Sequence, residues 1–220
     1  MATIVRGRVP AGEFALHDAL MSLPGVEVEA ERLIESGENV MPLLWARGAD
    51  HEAIEDAFEA DPTVQHLSLL TTVNDEQLYQ MEWTTEIELL VQMLARAEAT
   101  VLDAYGGGGR EDWYLRILYP TRASVTTTQQ FCEEEELTFD VDTVRELGDE
   151  SVGRFGVSTK QYMALRRAVE AGYYDVPRNA YLLDIADALE ISDAALSQRL
   201  RRGTKALVED TLLIGIHPSE

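Results

Sequence analysis

The stretch LLDIADAL at positions 182–189, followed by Glu190-Ile191-Ser192 and then DAALSQRLRRGTKAL at 193–207, decides how the chain is read. Leu182, Ile185, Ala186 and Leu189 recur at the spacing of one helix face. Ala186 is the small residue that lets a second helix cross closely, because a larger side chain would push the pair apart. Ile191 plugs the core from the turn, and the Ser192 hydroxyl can cap the helix that follows. In that last helix Leu196, Leu200 and Leu207 are the inward positions. Ala194, Ser197, Gln198, Arg201 and Lys205 form the opposite face, small and hydrogen-bonding first and basic later. This order is what a helix-turn-helix needs to bring one helix end to base edges and its flanks to phosphates.

Working upstream, Ser158 and Gln161 make a capping box for a preceding helix. Tyr162, Leu165, Ala168 and Val169 are its expected inward residues, and Gly172 its left-handed C′ residue. Residues 148–157 hold Gly148, Gly153 and Gly156 and read as a linker. An all-α domain is therefore expected over 158–215.

The charge changes at the same place. The 220 residues carry a net charge of −22, and residues 1–150 hold 31 acids against nine bases, which is the whole excess. Residues 151–220 hold nine of each. Such asymmetry points to two domains under different electrostatic demands. Only Lys160 and Lys205 are lysines among the 18 basic residues, and carboxylate excess with arginine in place of lysine resembles the proteins of salt-loving archaea. The acidity then reads as a hydrated, soluble surface and not as a binding face.

The acidic part, 1–147, reads as two β-α-β-β-α-β units, 1–74 and 75–147. Strands are expected at 3–9, 26–34, 40–46 and 64–73, with helices at 13–23 and 50–60; Asp50 is an N-cap candidate. The second unit has strands at 77–83, 97–105, 113–119 and 137–147 and helices at 85–95 and 124–136. The expected class is α+β: tandem ferredoxin-like units followed by a helix-turn-helix domain.

Chemistry finds little to work with. Gly106–Gly109 with Arg110 lacks the Lys-Ser/Thr of a phosphate loop and reads as a hairpin tip. Glu133–Glu136 reads as a solvated helix end, and His17, His51 and His66 lack metal-ligand spacing. Cys132, the single cysteine, reads as a packed small hydrophobe. No catalytic residue, metal site or cofactor is expected. MATIVRGRVP lacks the apolar core of a signal peptide, and no apolar run approaches the ~18–20 residues that span a bilayer, so a cytoplasmic protein with no membrane partner is expected.

GYYDVPR followed by DIADALEISDAALSQRLRRGTKAL resembles the C-terminal helix-turn-helix of the bacterio-opsin activator family of haloarchaeal transcription regulators. The resemblance covers about 147–213, and the acidic part is more loosely similar to the domain that precedes this motif in the family. It implies sequence-specific binding of double-stranded DNA and transcriptional regulation, with Ser192, Ala195, Ser197, Gln198 and Arg201 on the recognition helix. Many such motifs carry glycine where this chain has Glu190, so the turn is expected to hold a conformation that does not require glycine. Many family members carry sensor modules ahead of these domains, and with the acidic region first here no signal input carries over. Arg178, Arg199, Arg202 and Lys205 are the expected phosphate contacts. A homodimer is expected, since paired half-sites ~34 Å apart are how single motifs gain affinity. The alternative is a ligand-sensing or protein-interaction module whose C-terminal helices dock a partner, a small ligand or the transcription machinery being candidates.

Overall fold

A computed structural model describes residues 1–36, 39–84, 93–147 and 156–211, with only the backbone described at 32–41. The expected linker at 148–157, the helix at 85–95 and the end of the domain at 212–215 fall wholly or largely outside the described residues. The chain divides into two compact units, Met1–Arg145 and Glu146–Glu220.

The first unit is built on β1 (Thr3–Pro10), β2 (Glu27–Ser36), β3 (Asn39–Arg47), β4 (Val64–Val73), β5 (Glu76–Trp83), β6 (Thr100–Gly107), β7 (Asp112–Tyr119) and β8 (Asp140–Glu146). Its described helices are α1 (His17–Ser22), α2 (His51–Ala60) and α3 (Arg122–Glu134). Alternation decides which side of each strand is buried. Val5 and Val9 of β1, Tyr79, Met81 and Trp83 of β5, and Trp113, Leu115, Ile117 and Tyr119 of β7 all face one core, with Ile54 and Phe58 of α2 and Val125 and Phe131 of α3. The residues between them stay half-exposed on the other side.

Strand pairing departs from two separate tandem units. All eight strands form one sheet in the order β4-β5-β3-β2-β6-β7-β1-β8. β1 pairs antiparallel with β7 and lies beside β8, both from the second half of the sequence. β5 pairs with β3 and β4, both from the first half. The two halves have exchanged their first strands, and β2 and β6 join the resulting quartets along a seam. The β-α-β-β-α-β order is thus α+β with a continuous antiparallel sheet. Period-2 alternation reports which face of a strand is buried and carries no information about its neighbour.

Two further expectations are corrected. The helix expected at 13–23 is a 3-10 turn at Ala11–Glu13 and then α1, separated by Leu16 in a left-handed conformation (φ 59°). This break turns Phe14 edge-on to Trp83 at 5.1 Å and Trp113 at 5.0 Å. The first free amide groups of α1 are held from a distant segment instead of a local cap. Buried Asp61 accepts from the Ala19 N–H at 3.0 Å, and Thr63 Oγ1 accepts from the Leu16 N–H at 3.0 Å. Asp50 does occupy the N-cap position of α2, but its side chain makes no capping hydrogen bond. Cys132 is buried in this core, its Sγ 3.4 Å from Met93 Sδ, and burial pushes its thiol up.

Candidate nucleic-acid interface

The described residues of the second unit hold three helices: α4 (Thr159–Glu170), α5 (Leu182–Ala188) and α6 (Asp193–Thr211). The capping box at the start of α4 is made, with the Gln161 N–H donating to Ser158 Oγ at 3.3 Å and the Ser158 N–H to Gln161 Oε1 at 2.9 Å. The helix ends at Gly172 (φ +74°), where the Gly172 N–H reaches Val169 O and the Tyr173 N–H reaches Ala168 O. That hydrogen-bond pair is the Schellman ending, which satisfies carbonyls the helix leaves open.

The core is Ala164, Ala168, Ile185, Ala186, Leu196 and Leu200, with Leu165, Leu182, Leu189 and Ile191 packed against it. Two expected inward residues of α4 are not there: Tyr162 is 55% exposed and Val169 65%. Ala164, not singled out in the sequence, is fully buried. Ala164 and Ala168 centre the buried stripe, and Tyr162 and Val169 lie beyond its Leu165 edge at 3.6 residues per turn. The small inward residues keep the neighbouring helices close.

The α5–α6 turn holds a finding opposite to expectation. Glu190 has φ +53°, so the left-handed conformation that many such motifs give to glycine is present here with a glutamate. The Glu190 N–H donates to Asp187 O and the Ile191 N–H to Ala186 O, both at 3.1 Å. This is a second Schellman ending, and Ile191 packs on the core just beyond it. Two hydrogen bonds and the anchored isoleucine hold a backbone that costs a non-glycine residue about 1–2 kcal/mol.

Ser192 then caps α6. Its Oγ accepts from the Ala195 N–H at 3.2 Å, and its carbonyl accepts from the Leu196 N–H at 2.9 Å. Leu196, Leu200 and Gly203 turn inward and Leu207 is half-buried. The structure brings Ala194, Gln198, Arg201, Arg202 and Lys205 out together on the exposed side of α6, while Ala195, Ser197 and Arg199 are half-buried along its flanks.

The basic side chains differ in how they are held. The Lys205 ammonium sits 3.3 Å from Glu209, one turn further along. Arg178, in the α4–α5 turn, lies over the Tyr181 ring at 5.7 Å. Arg201 lines a cleft of about 410 Å³ with Ser197, Thr204, Leu182 and the paired rings of Tyr173 and Tyr174. Two features leave little trace in the sequence. Tyr173 and Tyr174 form a wall beside Arg201, and the only signal for it was the aromatic GYY of the turn. Gly203 of α6 lies against Leu165 and Gln161 of α4, and a small residue in register with Leu196 and Leu200 could have pointed to it.

Residues 157–209 match the family described as "HTH DNA binding domain", which covers α4, α5 and α6 as far as residue 209. Residues 8–149 match the family described as "GAF and HTH_10 associated domain". A curated relative, the "Dimethyl sulfoxide reductase transcriptional activator" of Halobacterium salinarum, is 52% identical over 46 residues. That match covers 21% of this chain, and the chain spans about one fifth of that protein's length (20%). The chain belongs to the bacterio-opsin activator family, and its C-terminal unit is a DNA-binding helix-turn-helix domain.

Proposed function

We propose that this chain is a transcription regulator that reads a specific DNA sequence with the N-terminal half of α6 in the major groove. The observation that carries the reading is the outward row Ala194, Gln198 and Arg201 on a helix whose other side is fixed by Leu196, Leu200 and Gly203. Gln198 and Arg201 have the side chains that make bidentate contacts, glutamine to adenine and arginine to guanine. Ala194 and Ala195 keep the helix end narrow enough to approach the bases. Ser192 and Ser197 can donate to either bases or backbone. Arg178, Arg199, Arg202 and Lys205 neutralise phosphates on either side, with Lys205 giving up Glu209 to do so.

The domain assignment belongs to the same proposal: an acidic unit over 1–147 for regulation or dimerisation, a linker at 148–157 and a reader over 158–215. The regulator acts in the cytoplasm as a homodimer on paired half-sites. Among the described residues no helix is long and apolar enough to cross a membrane. Base contacts and dimerisation carry more of the affinity than phosphates if the cytoplasm is salty, because counterion release then gains little entropy. Occupancy of genomic sites by the tagged full-length chain, compared with its Gln198→Ala and Arg201→Ala variants, tests this. Loss of the wild-type sites supports it, and an unchanged map removes α6 as the reader.

A second reading is favoured by one observation and is compatible with the first. Val176 is 98% exposed, Tyr181 65% and Leu183 62%, so the second unit offers apolar surface that DNA does not require. These three side chains are the proposed contact, and a component of the transcription machinery is the partner proposed. Pull-down of polymerase components by the wild-type chain and not by Leu183→Asp tests it.

A further inference from the structure

The two edges of the sheet are protected unequally. β8 forms one edge, and its seven residues include Asp140, Asp142, Arg145 and Glu146. Charged side chains of this kind keep an open edge from pairing with another chain. β4 forms the other edge, with β5 as its one strand neighbour among the described residues. It lies within residues 62–74, the longest run of the chain without an Asp, Glu, Lys or Arg. The first 150 residues hold 31 acids, yet this edge strand has none.

β4 is also apolar where it is open. Leu70 is 48% exposed and Val73 50%. On the core side Val64, Leu67 and Leu69 are only half-buried, whereas Tyr79, Met81 and Trp83 of the next strand are buried. The core thus runs out at this edge with its last leucines partly wet. Of the devices that blunt an edge strand, β4 has only bulges. Its register against β5 shifts between Gln65 and Ser68 and again between Leu69 and Thr71. Beyond the second shift Thr71–Val73 pairs regularly with β5, so its other backbone edge presents hydrogen-bonding groups at strand spacing.

We propose that β4 is the interface of a homodimer, pairing antiparallel with β4 of a second copy to join two eight-stranded sheets into one. The occupant follows from charge. Each copy carries −22, so two copies repel wherever their carboxylate-rich surfaces meet, and this strand is where like charge is absent. A basic partner would be drawn to the acids elsewhere and gains nothing from a neutral strand. Antiparallel pairing of one strand with itself is two-fold symmetric, the symmetry that paired DNA half-sites require. Leu70 and Val73 lose water in the pairing, and the exposed Thr71 and Thr72 can form cross-strand pairs. This interface rests on the homodimer proposed as the DNA-bound form and gives that dimer its surface.

The test is sedimentation equilibrium of the full-length chain over a range of potassium chloride concentrations. A dimer of twice 24.5 kDa is expected. It tightens as salt rises, because salt screens the repulsion between the acidic bodies. Leu70→Lys combined with Thr72→Lys raises the dissociation constant at least tenfold and leaves the circular dichroism unchanged. Cys132 is the single cysteine and is buried, so Ser68→Cys, Leu70→Cys, Thr71→Cys and Thr72→Cys each put one accessible thiol on this edge. A short bis-maleimide is expected to join two copies through at least one of these positions and not through Thr143→Cys on β8. The crosslinks decide the matter if the double-lysine variant fails to fold. A wild-type chain that stays monomeric at every salt concentration overturns the interface and the homodimer together. A dimer that loosens as salt rises, keeps its affinity in the folded double-lysine variant, or crosslinks at no β4 position overturns the interface alone.

Discussion

Gly203 of α6 lies against Leu165 of α4 so closely that a Cβ placed on the glycine would stand 2.7 Å from Leu165 Cδ1 and 3.3 Å from Gln161 Cβ. The absent side chain sets the distance between the helix that would meet DNA and the helix that supports it. Alanine would need Leu165 to rotate away, a small movement of a flexible end. Valine branches at Cβ and would push the helices apart. Gly203→Val is therefore expected to destabilise the second unit by about 1–3 kcal/mol, the usual cost of an overpacked core. Denaturant unfolding of the variant reads this out, together with a loss of DNA binding larger than that of any single surface substitution.

Glu190→Gly is expected to do the reverse. The position keeps its Schellman hydrogen bonds and loses the penalty of a side chain at φ +53°, against the greater chain entropy of glycine when unfolded. The balance is a gain of about 0.5–1 kcal/mol, visible as a higher unfolding midpoint with DNA affinity unchanged. Glu190→Val should move the midpoint down by a larger amount.

Asp61→Ala tests the acidic unit. The buried carboxylate holds the Ala19 N–H, and through Oδ1 it also holds the Thr63 N–H and hydroxyl. Removing it leaves the buried Ala19 N–H and two part-buried Thr63 donors without their acceptor, so a loss of about 2–4 kcal/mol is expected by equilibrium unfolding. Asp61→Asn, which keeps one acceptor oxygen, should lose less.

The salt dependence of DNA binding separates the basic residues. Arg202→Ala is expected to lower affinity about equally on all sequences and to reduce the slope of log K against log salt by about 1. Lys205→Ala should cost less, because in the free protein its charge is already shared with Glu209 at 3.3 Å. Arg201→Ala should change sequence preference more than salt slope.

Much of the architecture was legible because single strands and helices announce themselves by period. β4 at Val64–Val73 lies where the sequence reads as a strand, and α6 starts at Asp193 directly after the Ser192 cap. The exchange of β1 and β5 between quartets was not legible, because their alternation is satisfied by any neighbour that covers the same face. Leu16 and Glu190 have side chains that disfavour positive φ, and the conformation is held by tertiary partners: the Leu16 N–H on Thr63 beside the packed Phe14, and the hydrogen-bonded turn at Glu190 with Ile191 in the core. That Gln198 and Arg201 share the exposed side of α6 was legible from helical spacing. The Tyr173–Tyr174 wall was not, because it depends on how the eleven-residue connection 171–181 folds back on α6.

The most direct test of the central claim is a base-resolved footprint of the full-length chain on a genomic site it occupies, compared with the Gln198→Ala variant. Loss of protection and preference at one base pair in each half-site, with the flanking phosphate contacts kept, is the predicted result. An unchanged footprint at every base would contradict the assignment of α6 as the helix that reads DNA.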